Sequence, residues 1–338
     1  MKPFLGNAWY MAAWASEVSE TFVTRRLLEI PTVMYRAPSG QAVVLQDSCP
    51  HRFAPLSRGK LTSEGVQCGY HGLKFNHEGQ CTGGFYRGTG NSSIKARAFP
   101  VVEQDTIIWI WPGDPEKADP STIPRFEYLA DPRFKTVNGL SMVKANYELL
   151  TDNLMDLSHI EFLHPAFCGV LEHGKFTTRT EAETIFAEWW ATNVPPTGAI
   201  KLWWPESGGT IDHWLDMRWN VPASMLLHVG ATHPGTPREA GLYQPSVHIL
   251  TPETACRTHY FWNAGMPKDN HLDMKEIGRL FALSFDEEDA PMIEAIQDRM
   301  GDDDIFDLHP ILLRTDSGAI LARRALRKSL AAESASAD

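Results

Sequence analysis

Hydrophobic and polar positions change in short runs through the first third of the chain and in longer, aromatic-rich runs after it. Runs at 24–35, 42–47, 65–67 and 106–111 are rich in Val, Ile, Thr and aromatic residues, and Gly, Pro, Asp and Asn separate them. That is the pattern of β-strands joined by turns. Val101-Val102-Glu103-Gln104-Asp105 followed by Thr106-Ile107-Ile108-Trp109-Ile110-Trp111 predicts a hairpin with a tight polar turn. The stretch 112–124 carries four prolines and several charges, which suits neither a helix nor a central strand. It is read as a linker, dividing the chain into residues 1–115 and 116–338.

Beyond the linker the pattern is mixed. Aromatic-rich runs at 184–190, 200–204, 225–230 and 258–263 predict strands. A helix is expected to begin near Asp152, with Asp152 as a candidate cap, and to include 158–163. Further helices are expected over 271–285 and 289–299. Ser317 is the expected N-cap of a last helix whose Arg323, Arg324, Arg327 and Lys328 form a solvated face or an oligomer contact. Residues 331–338 are expected to fray. The fold class is α+β, an all-β first domain followed by a domain of strands and helices.

Composition narrows the function. The 338 residues are 43% hydrophobic and 22% charged, which fits globular domains with one large core or two ordinary ones. A net charge of −11 argues against a nucleic-acid partner, because phosphates need an excess of Lys and Arg. The N-terminal residues lack the apolar stretch of a signal peptide and no apolar run reaches membrane-spanning length, so no membrane partner and a cytoplasmic location are expected. Five cysteines, at 49, 68, 81, 168 and 256, are too scattered for a disulfide framework.

Two of those cysteines have histidine companions, in Cys49-Pro50-His51 and Cys68-Gly69-Tyr70-His71. Each half sits among turn-forming residues, so two loops can clamp one group between them. Two thiolates on one iron and two neutral imidazoles on the other is the ligand set of an iron–sulfur cluster with an asymmetric environment. Zinc also accepts two Cys and two His, but finger-type sites keep like ligands together, whereas each loop here brings one of each. Two buried thiols and two surface histidines with no metal is the remaining alternative.

A second candidate site lies in Asp152-Asn153-Leu154-Met155-Asp156-Leu157-Ser158-His159-Ile160-Glu161-Phe162-Leu163-His164-Pro165. His159 and His164 would diverge by about 140° on one continuous helix. Pro165 disfavours helical dihedrals at residue 164, so the helix can end there and turn His164 back toward His159. Two imidazoles and a carboxylate make the facial triad of non-haem Fe(II) oxygenases. Glu161, Asp286, Glu287, Glu288 and Asp289 are the candidate third ligands, with Asp289 preferred because Glu161 sits awkwardly between the histidines. Asp156 is a candidate for orienting an imidazole or for accepting a hydrogen bond from a cluster histidine across a subunit contact, and Asn153 is expected nearby.

These motifs, together with Asn7-Ala8-Trp9-Tyr10 and Trp109-Ile110-Trp111-Pro112-Gly113-Asp114, make the chain resemble, nearly end to end, the oxygenase components of Rieske non-haem iron oxygenases, in the vanillate O-demethylase and dicamba monooxygenase branch. The resemblance implies a Rieske domain followed by a helix-grip catalytic domain. It implies a [2Fe-2S] cluster on Cys49, His51, Cys68 and His71, and Fe(II) on His159, His164 and Asp289. It also implies a head-to-tail homotrimer in which Asp156 bridges the cluster of one subunit and the iron of the next. Positions matching Asn220 and His248 are implied to touch the substrate, and Arg218 is a candidate partner for a substrate carboxylate.

The chain has no flavin or nicotinamide fingerprint of its own, so electrons are expected from NADH through a separate reductase, with or without a ferredoxin. The expected reaction consumes O2 and O-demethylates a methoxylated aromatic acid, vanillate-like, to a phenol plus formaldehyde. Ring hydroxylation or dihydroxylation, and N-demethylation or methyl hydroxylation, would use the same metals. A pure electron carrier would need only the first domain and would leave His159, His164 and Asp289 without a role.

Overall fold

The computed structural model describes residues 4–84, 93–167, 169, 171, 174–198, 200–204 and 208–336. The chain divides into two compact units, Phe4–Ile123 and Pro124–Asp338.

The first unit is built from short strands: β1 (Tyr10–Trp14), β2 (Val23–Leu27), β3 (Ile30–Arg36), β4 (Ala42–Gln46), β5 (Lys60–Thr62), β6 (Gly65–Gln67), β7 (Lys74–Phe75), β8 (Cys81–Gly83), β9 (Val101–Gln104) and β10 (Ile107–Ile110). They form three antiparallel sheets, β1-β10-β9, β2-β3-β4 and β5-β6-β7-β8. The run expected as one strand at 24–35 is a hairpin: Leu28 and Glu29 take positive φ and turn β2 onto β3. The hairpin expected at 101–111 is present, with Asp105 and Thr106 in the left-handed region at its tip. Val33, Tyr35, Leu45, Leu56 and Phe75 form a buried core that also takes in Cys49 and Cys68.

The second unit contains β11 (Phe134–Val143), α1 (Tyr147–Met155), α2 (Ile160–Leu163), β12 (Lys175–Glu181), β13 (Thr184–Val194), α3 (Ile200–Trp203), β14 (Ile211–Asn220), β15 (Ser224–Thr232), β16 (Leu242–Thr254), β17 (Arg257–Pro267), α4 (Met274–Ala282), α5 (Ala290–Met300) and α6 (Ser317–Ala335). Its strands form a seven-stranded sheet in the order β11-β17-β16-β15-β14-β13-β12. All its pairings are antiparallel. The middles of β16 and β17 are buried continuously, as expected of strands covered on both faces. Helix α4 packs on β11 and β17, α1 on β16 and β14, and α6 on α1 and β13.

Several elements differ from expectation for identifiable reasons. Within 200–204, residues Ile200–Trp203 are helical as α3, because Ile200 and Trp203 share the buried face while Lys201 and Leu202 face outward, a spacing of three where a strand needs two. The helix expected near Asp152 starts at Tyr147, since the Asn146 side chain accepts the Glu148 N–H at 2.9 Å. It stops at Asp156. The helices expected at 271–285 and 289–299 are joined by a π-helical stretch, Leu283–Asp289. Asp316 takes the N-cap position of α6 and Ser317 is its first residue. The helix runs to Ala335 where fraying was expected from 331, and residues 337–338 lie outside the described residues.

Arg323 is no part of a solvated face. It is buried between Glu148 (2.5 Å) and Asp152 (2.7 Å) of α1. Asp152 is therefore an ion-pair partner inside the helix and not its cap. Among the described residues no helix is long and apolar enough to cross a membrane.

Candidate active site and its metal centres

In the first unit, Cys49 and Cys68 occupy loops with the same backbone pattern. Cys49 N–H donates to the Ala54 carbonyl and its own carbonyl accepts from Phe53 N–H, both at 2.8 Å. Cys68 N–H donates to the Leu73 carbonyl at 2.8 Å and its carbonyl accepts from Gly72 N–H at 3.1 Å. The residue four past each cysteine is left-handed, Phe53 at φ 59° and Gly72 at φ 73°. Gly adopts that conformation freely, whereas a side chain there costs roughly 1–2 kcal/mol.

This repeated turn brings the four expected ligands together. Both sulfurs are buried, and the His51 and His71 rings lie 4.6 Å apart at the surface. Burial pushes the Cys49 thiol up, and Cys68 beside it adds to the effect. A metal relieves that cost by taking both sulfurs as thiolates. Thiolates inward and imidazoles outward, presented by two equivalent loops, fit a Rieske cluster and do not follow the segregated spacing of a zinc finger. Among the described residues Cys49, Cys68, Cys81 and Cys256 form no disulfide, and Cys168 lies outside them.

In the second unit, α1 ends at Asp156 and the chain makes one 3-10 turn through Leu157–His159 before α2. The turn is held by the Asp156 carboxylate, which accepts Ser158 N–H at 3.0 Å. His159 caps α2 at one end and His164 at the other, the latter with φ −114° and ψ 83°, outside the helical region as Pro165 requires. Asp289 comes from the end of the π-helical stretch, whose wide turn buries Ser284, Phe285 and Asp289.

The donor atoms of His159, His164 and Asp289 all lie within 4.8 Å of one another. Asp289 Oδ1 stands 3.3 Å from His164 Nε2 and 3.7 Å from His159 Nε2. The opposite edge of each imidazole is occupied. His159 Nδ1 is 2.7 Å from the Asp156 carbonyl oxygen, and His164 Nδ1 is 2.7 Å from Glu288 Oε2. Such partners fix the ring orientation and leave Nε2 as the metal-facing nitrogen. Asn153 Nδ2 donates to Asp289 Oδ1 at 3.2 Å. Burial lowers the His159 pKa, favouring the neutral ring a metal needs. At His164 burial also pulls downward but is outweighed by Asp289 and Glu288, so its pKa rises. Two imidazoles and one carboxylate, each braced from outside, fit Fe(II) with coordination positions left for dioxygen.

The other candidate carboxylates serve elsewhere. Glu161 accepts the Gly169 and Leu171 backbone N–H groups, at 2.5 and 2.7 Å, and Glu288 holds His164. Asp156 orients His159 through its backbone carbonyl, where its carboxylate had been expected to act.

The triad opens onto a cavity of about 780 Å³, mouth included, whose walls include Leu154, Leu215, Met217, Leu227, Phe281 and Phe285. His248 lines it, hydrogen-bonded to Ser246 Oγ at 2.9 Å and Tyr260 OH at 2.7 Å. Asn220 and Arg218 do not. Leu215 and Met217 face the cavity from β14, so alternation sends the even-numbered positions to the other face of the sheet. There Asn220 Nδ2 donates to Thr184 Oγ1 at 2.8 Å, and Arg218 Nη2 donates to the Arg125 carbonyl at 2.7 Å and lies over Phe126.

Gln244 and Ser246 are cavity residues the sequence reading missed. They stand two and four positions before His248 on one strand, a period-two signal that was available once His248 had been singled out.

Residues 8–89 match the Rieske [2Fe-2S] domain family, and residues 143–332 match the vanillate O-demethylase oxygenase C-terminal domain family. The chain is a Rieske oxygenase component of the vanillate O-demethylase family. It is similar to the oxygenase component of dicamba O-demethylase from Stenotrophomonas maltophilia, with 38% identity over 96% of this chain and 97% of the relative. It is also similar to the oxygenase component of chloroacetanilide N-alkylformylase from Rhizorhabdus wittichii (strain DC-6 / KACC 16600), with 34% identity over 98% and 97%.

The crystal structure of dicamba monooxygenase bound to 3,6-dichlorosalicylic acid superposes with a TM-score of 0.91, at 36% identity over 99% of this chain and 100% of that one. The same enzyme has been solved with non-haem iron and dicamba. This Rieske oxygenase therefore has the α+β architecture of an all-β Rieske domain followed by a helix-grip domain, and its cofactors are a [2Fe-2S] cluster and Fe(II).

Proposed function

We propose that this oxygenase component O-demethylates methoxylated aromatic compounds, giving a phenol and formaldehyde. The observation that carries the reading is the braced His159–His164–Asp289 triad at the wall of an apolar cavity, in a chain that also has a cluster site. When bound, the cluster supplies single electrons and the ferrous ion activates dioxygen.

The chain's own residues aim and protect that chemistry. Leu154, Leu215, Met217 and Phe285 offer an apolar slot for an aromatic ring and exclude water from it. Glu288 and the Asp156 carbonyl keep both imidazoles oriented, and Asn153 steadies Asp289. Insertion of one oxygen into a methoxy C–H bond gives a hemiacetal, whose C–O bond then breaks to phenol and formaldehyde. The second oxygen leaves as water, with two electrons and two protons supplied from outside.

Those electrons come from NADH through a separate reductase, with or without a ferredoxin between them. The assembly is a head-to-tail homotrimer in the cytoplasm, with Asp156 linking its own iron site to a cluster histidine of the neighbour. The surface-exposed His51 and His71, flanked by the exposed rings of Phe53 and Tyr70, favour such a contact. N-dealkylation is the second reading, favoured by the similarity to the chloroacetanilide N-alkylformylase component. Incubation of the oxygenase with reductase, NADH and a panel of methoxyarenes tests the proposal. Formaldehyde and phenol should form in step with oxygen uptake, and a product that keeps its methyl group and gains ring hydroxyls would contradict it.

A further inference from the structure

His248 lines the cavity beside the triad, but both of its nitrogens are engaged. Nε2 is 2.9 Å from Ser246 Oγ, and Nδ1 is 2.7 Å from Tyr260 OH. Ser246 stands two positions before His248 on β16, so both side chains project onto the cavity face. Tyr260 comes from β17 and is no part of the cavity wall. All three residues are buried.

The protons set the direction of this chain of hydrogen bonds. Burial pushes the His248 pKa down to about 3, so the ring is neutral, with one nitrogen donating and the other accepting. If Nδ1 donated, Tyr260 OH would accept, and its own buried proton would have no acceptor among the described residues. A buried donor left without a partner is costly. If Tyr260 OH donates to Nδ1 instead, Nε2–H donates to Ser246 Oγ, and the one proton left over belongs to the Ser246 hydroxyl. That proton sits at the cavity wall. The cross-strand neighbours of Ser246, Leu227 on β15 and Ala264 on β17, have no side-chain atom that could accept it. A ligand in the cavity can.

We propose that Ser246 is the residue that meets the polar substituent of the substrate ring, donating its O–H to an accepting oxygen there, and that His248 and Tyr260 act through it as positioning residues. Tyr260 fixes which nitrogen of His248 carries the proton, and His248 in turn points the Ser246 hydroxyl into the cavity. The choice of methoxylated probes below rests on the demethylase reading; the role of Ser246 rests on the hydrogen-bond chain alone.

Anaerobic titration calorimetry of the iron-loaded, full-length protein tests it. The accepting probe is the tightest binder among 2-, 3- and 4-methoxybenzoate, and the control is the methoxytoluene of the same substitution, which has no accepting oxygen at that position. Ser246→Ala should weaken the benzoate by about tenfold to a hundredfold and change the methoxytoluene by no more than about twofold. Ser246→Thr keeps the hydroxyl, so the ratio of the two affinities should stay within about threefold of the wild-type ratio, whatever the added methyl costs both ligands. Tyr260→Phe should lower that ratio by about threefold or more, although Tyr260 is no part of the wall. Iron retained by the triad checks that each variant's catalytic unit is folded. Equal weakening of both ligands in Ser246→Ala, an unchanged benzoate affinity in that variant, a wild-type ratio in Tyr260→Phe, or no binding of any methoxybenzoate by the wild-type protein would overturn the assignment. Formaldehyde release is read separately: Ser246-dependent binding without formaldehyde would remove the demethylase reading and leave the role of Ser246 standing.

Discussion

Glu288 holds His164 by its Nδ1, at 2.7 Å, and so turns the opposite nitrogen toward the neighbouring Asp289. Two consecutive carboxylates of one π-helical stretch thus stand at opposite edges of one imidazole, the first as a brace and the second as a fellow candidate ligand. Glu288→Gln keeps the size of the side chain but weakens the bond to the ring. It is expected to lower affinity for the mononuclear iron by about tenfold to a hundredfold, with the cluster unaffected. Iron retention during dialysis against a graded chelator series measures this, and wild-type retention would show that the brace is dispensable.

The Arg323 network makes a separate prediction. Its guanidinium lies between Glu148 and Asp152, so α6 is tied to α1, the helix that also carries Asn153. Replacing only the arginine strands two carboxylates near each other. Arg323→Met is expected to cost on the order of 3–5 kcal/mol of stability in the catalytic unit, read from its denaturant midpoint. The triple variant that also carries Glu148→Gln and Asp152→Asn should recover much of that loss, because the uncompensated charges are then gone.

Buried histidines set the acid limit. Burial pushes His213 and His228 down to about 4, below the ordinary histidine range near 6.5. As pH falls below 6.5 the unfolded chain takes up protons that the folded protein refuses, so stability declines until about pH 4 is reached. The cost approaches on the order of 3 kcal/mol per histidine. Asp216 works the other way. Burial pushes it up to about 6, so the folded state gains a proton first as pH falls and part of the loss is offset. The thermal midpoint should drop between pH 6.5 and 4, and His213→Phe should shrink the drop. A flat profile across that window would contradict these assignments.

How much of this was legible in the sequence depended on the distance over which each feature is determined. Cys49, His51, Cys68 and His71 sit in two local turns, and ligand type with spacing was enough to group them. His159 and His164 were readable because Pro165 forces the chain out of the helix between one ligand and the next element. Asp289 was chosen from five acidic candidates, since nothing local distinguishes it. Its position depends on a π-helical stretch, and that change of hydrogen-bond register leaves no mark in the hydrophobic pattern. Asn220 was placed by resemblance and Arg218 as a candidate partner for a substrate carboxylate, but one-residue parity on β14 decides which face a side chain takes. Arg323 looked like one of four surface cations because its partners on α1 come from more than a hundred residues away.

The central claim is a second, oxygen-activating iron held by two imidazoles and Asp289, and Asp289→Asn tests it most directly. Wild-type protein reconstituted with iron should hold about three irons per chain, two in the cluster and one in the triad. The variant should hold about two, keep the cluster's visible spectrum, and lose substrate-dependent oxygen uptake. A variant that kept its third iron and consumed oxygen at the wild-type rate would contradict the assignment of this centre.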